Sequence, residues 1–540
     1  MPNAVAELAF VGGPVATMDA ARSFTDAVAV RAGRIVAVGG PAVRAVTKRA
    51  TEVVDLRGRL LLPGFHDAHV HPLYGGLLRL RCDLTGCTDA QDCLARIGEH
   101  AASCAASDWV LGGGWDMAQF PHGTPTREAL DAVTGDRPAY LVNRDHHGAW
   151  VNSAALRLAG IDRDTPDPPD GRIERDSRGG PAGTLHEGAT ALVARIVPPA
   201  SAQQYRDGLL EGQRHLQSLG VTSWHDAILG PYLGYADPLP AYLDLDRRGV
   251  LTSRVTGALW WDRDRDRAQL PELVRRRELA RGDRFRADAV KIMQDGVCEN
   301  FTAAMVLPYL GEHGSGLSYV ERERLLEVVP ELDAAGFQLH FHAVGDRAIR
   351  DALDAVGAAR ARNGMNDRRH QIAHVQVVQP SDVPRFHELG VAANVQALWA
   401  VNDPAMTDLT VPHLGHRRAS WQYPFRSLRA AGAVLAAGSD WPVSDAAPMR
   451  AVHAAVNRRE SDEDEPFIPE QRLDLVDALA AYTAGSAWVH HLDDEIGTVE
   501  VGKAADLVVL DRDPFAAPPE EIGDCRAELT VIDGTIVHGG

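Results

Sequence analysis

The chain has 540 residues, with 55 Lys and Arg against 74 Asp and Glu, and a net charge of -19. A chain of this length can bury a large core, so one large barrel with an appended domain, or two domains, are the reasonable expectations. The acidic balance, without a Lys/Arg-rich run or a basic helix face, argues against nucleic acid and anionic membranes as partners.

Two hairpin-like regions lie at the ends of the chain. Roughly the first 60 residues, with "DAVAVRAGRIVAVGG", and the last 45, with "GTVEVGKAADLVVLDRD", place Gly and Asp turns between Val/Ile runs. This pattern predicts one β-sandwich built from both ends of the chain, residues 1–62 and 491–540.

The start "MPNAVAELAFVGG" has no basic n-region. No later apolar run approaches the roughly 20 residues that span a bilayer. We therefore expect a cytoplasmic protein without a membrane partner.

The stretch "PGFHDAHVHP" places three histidines and an aspartate within six residues. Alternate side chains of a strand point the same way, so His69 and His71 project together and could form half of a metal site. A lone H-x-H is common, however, and its simplest interpretation is two partly exposed histidines at a strand end.

About 150 residues separate this stretch from the next strand-like segment, far more than a usual crossover, which predicts an inserted subdomain near residues 76–200. Four of the six cysteines lie there, at Cys82, Cys87, Cys93 and Cys104. Their spacing contains no C-x-x-C pair, which favours reduced, packed thiols over a zinc site or disulfides.

Eight short apolar segments alternate with helix-like stretches such as "ERERLLEVVPELDAAG". Together they predict a parallel (β/α)₈ TIM barrel over residues 63–490, with a doubly wound sheet as the alternative. The segments are "GRLLLPGFHDAHVH", "GVTSWHDA", "LTSRVTGALW", "ADAVKIMQDG", "FQLHFHAVG", "RHQIAHVQ", "GVAANVQAL" and "GAVLAAGSDWPV".

Later strand ends offer chemical groups that match the first pair. They are Lys291, His342, His374 and Asp440. Barrel enzymes place their chemistry at the carboxyl ends of the strands, and imidazole and carboxylate suit Zn²⁺ or another first-row divalent metal.

With these residues the chain resembles the amidohydrolase superfamily, in its YtcJ-like family 3 branch, which includes N-substituted formamide deformylases. The similarity extends from "LLPGFHDAHVHP" through "HFHAVGDRAI" and "GSDWPV" to "GTVEVGKAADLVVLDRDP". It implies one metal at His69, His71 and Asp440, a second at His342 and His374, and a bridging Lys291 that CO₂ has carboxylated. It also suggests a homodimer.

Lys291 has an alternative role. An ammonium has no lone pair for a metal, so Lys291 can be a ligand only as a carbamate or a deprotonated amine. Otherwise it is a buried lysine paired with Asp295, beside a site with one metal.

The expected reaction follows from metal chemistry. A bound metal lowers the pKa of water to about 7, so metal-bound hydroxide would attack a polarised carbonyl, with Asp440 as general base and then acid. The resemblance implies hydrolysis of a non-peptide C–N bond in an amide, N-substituted formamide or cyclic imide. A lactone or ester hydrolase and a non-catalytic binding barrel are the alternatives.

Other residues are candidates for contact with the ligands or the substrate. Asp67 could orient an imidazole or make a turn hydrogen bond. His147 matches a substrate-facing histidine of the family, and "QALW", Gln396 to Trp399, replaces the usual Gln-Pro-x-His. Tryptophans at strand ends suit an apolar or aromatic small molecule, although ordinary packing is the competing interpretation. They are Trp224, Trp260, Trp261, Trp399 and Trp441.

Overall fold

A computed structural model describes residues 5–105, 108–232, 235–265, 267–311, 313–461 and 463–539. Within these residues the strands form three β-sheets, two of eight strands and one of six. Among the described helices, none combines the length and the apolar character needed to cross a membrane. All six cysteines are free, and five of them are buried.

The amino-terminal segment forms part of the first sheet. It contains strands β1 (Leu8–Ala16), β2 (Phe24–Arg31), β3 (Arg34–Val38), β4 (Glu52–Asp55) and β5 (Leu61–Pro63), and helix α1 (Gly40–Val46). Val28 and Val30 of β2 face one apolar cluster, whereas Ala27 and Ala29 face another. This is the two-residue period of a strand that is covered on both faces.

The segment predicted as an insertion has a sheet of its own. The chain first enters the barrel through β6 (Phe65–Val70) and α2 (Pro72–Arg79), and then forms this sheet in the strand order β11-β12-β10-β9-β8-β7. Its strands are β7 (Cys82–Asp83), β8 (Val110–Trp115), β9 (Ala139–Asn143), β10 (Gly148–Val151), β11 (Gly171–Arg175) and β12 (Pro181–Glu187). Its helices are α3 (Ala90–Ser103), α4 (Arg127–Thr134), α5 (Ser153–Ala159) and α6 (Ala191–Ala194).

The third sheet is an all-parallel barrel, in which each strand pairs with the next along the chain. After β6 its strands are β13 (Val221–Leu229), β14 (Arg254–Trp260), β15 (Phe285–Met293), β16 (Gln338–Ala343), β17 (Gln371–His374), β18 (Ala392–Val395) and β19 (Leu435–Ala437). All nine residues of β13 are buried, as expected for a parallel strand covered on both faces.

Helices surround this barrel. They are α7 (Ala202–Ser218), α8 (Leu239–Arg247), α9 (Leu270–Leu279), α10 (Arg322–Ala334), α11 (Asp346–Asn363), α12 (Val383–Leu389), α13 (Val411–Ala419), α14 (Phe425–Ala430), α15 (Pro448–Asn457), α16 (Leu475–Ala480) and α17 (Ser486–Val489). The TIM barrel is therefore confirmed. The first predicted strand segment is divided in two, because β5 joins the terminal sheet and only β6 enters the barrel.

The barrel closes between its first and last strands at their carboxyl ends. The backbone N–H of Asp440 donates to the carbonyl of His69 at 2.7 Å, and that of His71 donates to the carbonyl of Trp441 at 2.9 Å. A Cβ atom at Gly438 would lie 2.5 Å from the backbone nitrogen of His69, so only glycine permits this approach. Three of the residues predicted to bind metal, His69, His71 and Asp440, thus also help to close the barrel.

The two ends of the chain meet in the first sheet. Strands β20 (Leu507–Leu510), β21 (Ala527–Ile532) and β22 (Thr535–His538) complete it, and β20 pairs antiparallel with β5. Arg254, at the amino end of β14, forms ion pairs with Asp506 and Asp533. This sheet therefore contacts the amino ends of the barrel strands. The domain bounds 1–62, 63–490 and 491–540 stay a prediction.

Candidate metal centre

His69 and His71 lie where the first barrel strand gives way to helix α2. The Nε2 atoms of both rings face the same oxygen of Asp440, at 3.4 Å from His69 and 3.0 Å from His71. The two rings meet edge to face with their centroids 5.4 Å apart. Both side chains therefore lie on the interior face at the carboxyl end of the barrel.

His374 and Asp440 complete the central group with backbones in the left-handed region. His374 ends β17 with φ 78°, and Asp440 follows β19 with φ 57°. Such a conformation costs a non-glycine residue about 1–3 kcal/mol and is typical of functional sites. The side-chain oxygen of Gln396 accepts the N–H of His374 at 2.8 Å and helps to hold it. His69, His374 and Asp440 each offer a ligand atom, and these atoms lie within 4.8 Å of one another.

Lys291 and His342 come from neighbouring strands. The amine of Lys291 is buried and lies 3.5 Å from Nε2 of His69. The ring of His342 lies 4.4 Å from that of His374, centroid to centroid. Asp295 accepts three backbone N–H groups and lies 3.3 Å from Nδ1 of His342. Within the described residues Asp295 therefore faces His342, and it forms no ion pair with Lys291.

The environment sets the protonation states of these groups. Burial lowers the pKa of Lys291 to about 7, so a neutral amine, the form that reacts with CO₂, is available near neutral pH. Burial likewise lowers the pKa of His69 to about 3. The pKa of Asp440 is well below its usual value because, although burial would raise it, the histidines His69 and His71 stabilise the carboxylate. Neutral imidazoles beside an ionised carboxylate are the states that metal binding requires.

The donor set fits a divalent metal. Nδ1 of His71 and Nδ1 of His374 are buried without a hydrogen-bond partner in the described part of the chain. Unpartnered buried polar atoms are rare and costly, and a ligand is one common explanation for them. Imidazole nitrogen and carboxylate oxygen are ligands preferred by Zn²⁺ and related ions.

Asp67 contacts backbone rather than an imidazole. Its Oδ1 accepts the N–H of His69 at 3.1 Å and that of Ser439 at 3.0 Å. Burial raises the pKa of this carboxyl group to about 7. Asp67 therefore ties the first barrel strand to the loop after the last one, which corresponds to its alternative role as a backbone acceptor.

The inserted segment brings a second pair to the site. Nδ1 of His147 lies 3.0 Å from both carboxylate oxygens of Glu187, and Thr302, from a barrel loop, donates to Glu187 at 2.8 Å. The ring of His147 lies 5.7 Å from that of His342. Burial acts to lower the pKa of His147, but the Glu187 carboxylate outweighs it and raises this pKa to about 9. Glu187 therefore holds His147, in its protonated form, beside the candidate metal ligands.

A cleft of about 750 Å³ is lined by residues that adjoin the candidate ligands, although none of those ligands lines it. Trp399 and Trp441 line it, and Trp399 stacks on His374 with ring centroids 4.8 Å apart. Trp224 is not in the cleft, because its ring is fully buried and its N–H donates to the hydroxyl of Tyr242 on α8 at 3.3 Å. Trp261 is likewise buried in the barrel core.

Three residues at the site were not among the site residues predicted from the sequence: Glu187, Gln396 and His340. Glu187 ends a short strand after a loop, and no pattern marks it. The motif that contains Gln396 was interpreted from its tryptophan, Trp399. In the structure, the side-chain amide oxygen of Gln396 accepts the backbone N–H of His374. His340 accompanies His342 in a second H-x-H, the same two-residue spacing that identified His69 and His71. That spacing is the signal that could have found it.

A parallel eight-stranded barrel with histidines, a lysine and an aspartate at its carboxyl end defines a metal-dependent hydrolase. The chain belongs to the amidohydrolase family, whose model matches residues 52–538.

Named relatives are similar over most of their length. The chain is 30% identical to the putative amidohydrolase YtcJ of Bacillus subtilis, over 90% of each chain. It is 27% identical to the N-substituted formamide deformylase of Arthrobacter pascens, over 98% of each. A metal-dependent hydrolase of Pyrococcus horikoshii has a similar structure, with a TM-score of 0.74 and 26% identity, covering 95% of this chain and 99% of that one. These similarities support the amidohydrolase branch that the sequence motifs indicate.

Proposed function

We propose that the protein hydrolyses a non-peptide C–N bond in an amide, N-substituted formamide or cyclic imide of a small apolar or aromatic molecule. The observation that carries this proposal is the convergence of His69, His374 and Asp440 at the carboxyl end of the barrel, next to a cleft. Full-length similarity to a formamide deformylase supports the choice of bond.

The metal would be Zn²⁺ or another first-row divalent ion. His69, His71 and Asp440 would hold one ion, His342 and His374 a second, and carboxylated Lys291 would bridge them. When bound, such an ion lowers the pKa of water and polarises a carbonyl group. Support for the carbamate comes from the burial of Lys291, its lowered pKa and the absence of a described ion pair with Asp295.

Asp440 is the proposed proton carrier. Its carboxylate is ionised, and one of its oxygens faces Nε2 of both His69 and His71. It accepts the proton of the attacking water, while the bond from water oxygen to substrate carbon forms, and returns this proton to the leaving nitrogen as the C–N bond breaks. Ligand and acid–base roles are compatible because the carboxylate has two oxygens.

His147 is the proposed hydrogen-bond donor to the substrate carbonyl oxygen. Glu187 holds Nδ1, so Nε2 is the nitrogen left to contact a ligand. A charged imidazole stabilises the negative charge that develops on this oxygen as water adds to the carbon. Thr302, on a barrel loop, donates a hydrogen bond to Glu187. This contact helps to hold the end of the inserted sheet, and with it His147, against the barrel.

The cleft indicates the class of substrate. Trp399, Trp441 and Tyr423 line it and offer flat apolar surfaces. The carboxyl groups of Asp145 and Glu299 also line it and form no ion pair within the described residues, and burial raises the pKa of both, that of Glu299 to about 7. A neutral or positively charged aromatic amide is therefore a better candidate than an anionic one.

Metal analysis by inductively coupled plasma mass spectrometry tests this proposal, on protein expressed with zinc and bicarbonate. Near two ions per chain are expected; one ion would contradict the bridging Lys291, and none would contradict a metal-dependent mechanism. The loaded enzyme is then assayed on matched amides, formamides, cyclic imides and lactones. Turnover of lactones alone would contradict C–N bond hydrolysis, and inactivity on the whole panel would favour a binding barrel.

A further inference from the structure

A column of buried histidines extends from the metal centre into the barrel core. Nδ1 of His69 lies 2.9 Å from Nε2 of His340. The ring of His340 stacks on that of His225, with centroids 5.1 Å apart, and His225 stacks on His490 at 4.1 Å. His490 in turn lies 2.8 Å from His66, nitrogen to nitrogen. We call His66, His225, His340 and His490 the histidine column; none is more than 3% exposed.

The two nitrogens of His69 face different surroundings. Nε2 faces Asp440 and Lys291, on the side of the other candidate ligands, whereas Nδ1 faces His340. A neutral imidazole carries one N–H, so Nε2 can bind a metal only if the proton is on Nδ1. That N–H then needs an acceptor, and His340 Nε2 is the one within hydrogen-bond distance among the described residues.

The column fixes the position of this acceptor. His225 accepts or donates a 2.7 Å hydrogen bond with Thr256, and His66 does so with Ser223 at 2.8 Å. His490 also lies 3.0 Å from the amide nitrogen of Gln371. Three of the four column histidines are therefore hydrogen-bonded to barrel residues, and the stacked ring of His225 restricts that of His340.

Packing alone is a poor explanation for these residues. Buried polar groups are costly unless they are paired, and Nδ1 of His340 and Nε2 of His225 have no partner in the described part of the chain. Aliphatic side chains would fill the same space without this cost. The column reaches the candidate metal centre through the hydrogen bond between His340 and His69.

We propose that His340 is a positioning residue for the metal ligand His69: it accepts the Nδ1 proton and so aims Nε2 at the metal. Hydrogen-bond partners of ligating histidines are usually carboxylates, carbonyls or water, and their loss costs about 10–100-fold in metal affinity. An imidazole at this position fixes the tautomer of His69 and, unlike a carboxylate, adds no negative charge next to the metal site. The inference rests on the proposed metal-dependent function.

The test measures Zn²⁺ affinity of the full-length protein by chelator competition. Three variants are compared with wild type, each accepted only if its circular dichroism is unchanged. His340→Gln can place an amide oxygen near the position of Nε2 and should stay within a few-fold of wild type. His340→Leu should weaken one of the two Zn²⁺ sites by about 10–100-fold. His370→Gln is the matched control, because His370 is another buried barrel histidine, bonded to Asp333 at 3.0 Å.

The outcomes separate the two proposals. Wild-type affinity in His340→Leu, or equal weakening in His340→Gln and His340→Leu, would overturn the positioning role while leaving the metal-dependent function intact. Absence of Zn²⁺ binding in wild type would overturn both. If His340→Leu does not fold, ¹⁵N-histidine spectra of the ¹¹³Cd²⁺-loaded wild type decide the question: coupling of cadmium to Nε2 of His69 is expected, and coupling to Nδ1 would refute the proposal.

Discussion

Lowering the pH from 7.5 to 5 is expected to reduce what the histidine column contributes to the free energy of unfolding, because burial opposes protonation of these rings in the folded state. Burial lowers the pKa of His66 to about 3 and those of His225, His340 and His490 well below the usual value. The neighbours that modify these pKa values are Lys291, Arg286 and other histidines, all of which lower them further.

The magnitude follows from proton linkage. An unfolded histidine titrates near 6.5, so between that pH and the folded pKa the unfolded state binds more protons and stability falls as the pH falls. At pH 5, His66, whose folded pKa is about 3, then favours the unfolded state by about 2 kcal/mol, and the other three column histidines act in the same direction. Even this single contribution is a sizeable part of the stability of a typical domain, about 5–15 kcal/mol.

The assay is urea unfolding at each pH, followed by tryptophan fluorescence and by pulse proteolysis. His225→Gln should reduce the dependence of the unfolding free energy on pH by about 1.4 kcal/mol per pH unit below 6.5. His122→Gln, at an exposed position, is the control and should leave it unchanged. An equal pH dependence of the unfolding free energy in wild type and in His225→Gln would refute the reasoning, since it would mean that His225 takes up its proton in the folded state.

Other variants test the proposed site. Asp440→Asn should lower kcat by at least about 10²-fold with unchanged circular dichroism, and near-normal turnover would exclude it as the proton carrier. Lys291→Ala should lose activity that acetate or propionate partly restores, since a small carboxylate can replace the carbamate; rescue by methylamine instead would indicate an amine role. Glu187→Gln should lower kcat by about 10-fold or more without changing metal content, because His147 loses its orienting charge. Trp399→Ala should change the ratio of kcat/KM between aromatic and aliphatic amides by about 10-fold, and an unchanged ratio across the panel would remove it from the pocket.

The barrel could be predicted because each of its strands is short, apolar and followed by a helical stretch, so the local pattern matches the global fold. The candidate ligands could be proposed from the sequence because histidine and aspartate at strand ends carry a chemical meaning that does not depend on the exact packing. Zn²⁺ as the metal, the carboxylated lysine, the homodimer and the cytoplasmic location stay predictions.

What could not be predicted depends on contacts between distant segments. Trp224 follows the same strand-end pattern as Trp399, but the sequence does not show that its ring lies against α8. Glu187 meets His147 across 40 residues of sequence and meets Thr302 across more than one hundred. Gln396 acts through its amide on the backbone of His374, a kind of contact that no side-chain motif records.

The closure of the barrel at the metal centre has a consequence for synthesis of the protein on the ribosome. His69 and His71 emerge early, whereas Gly438 and Asp440, which tie the first strand to the last, emerge some 370 residues later. A nascent chain therefore holds most of the ligands before it can assemble the site around them. Retention of Zn²⁺ should therefore indicate that the barrel has closed. Chains truncated before Gly438 should fail to retain Zn²⁺, even though they contain five of the six proposed ligands.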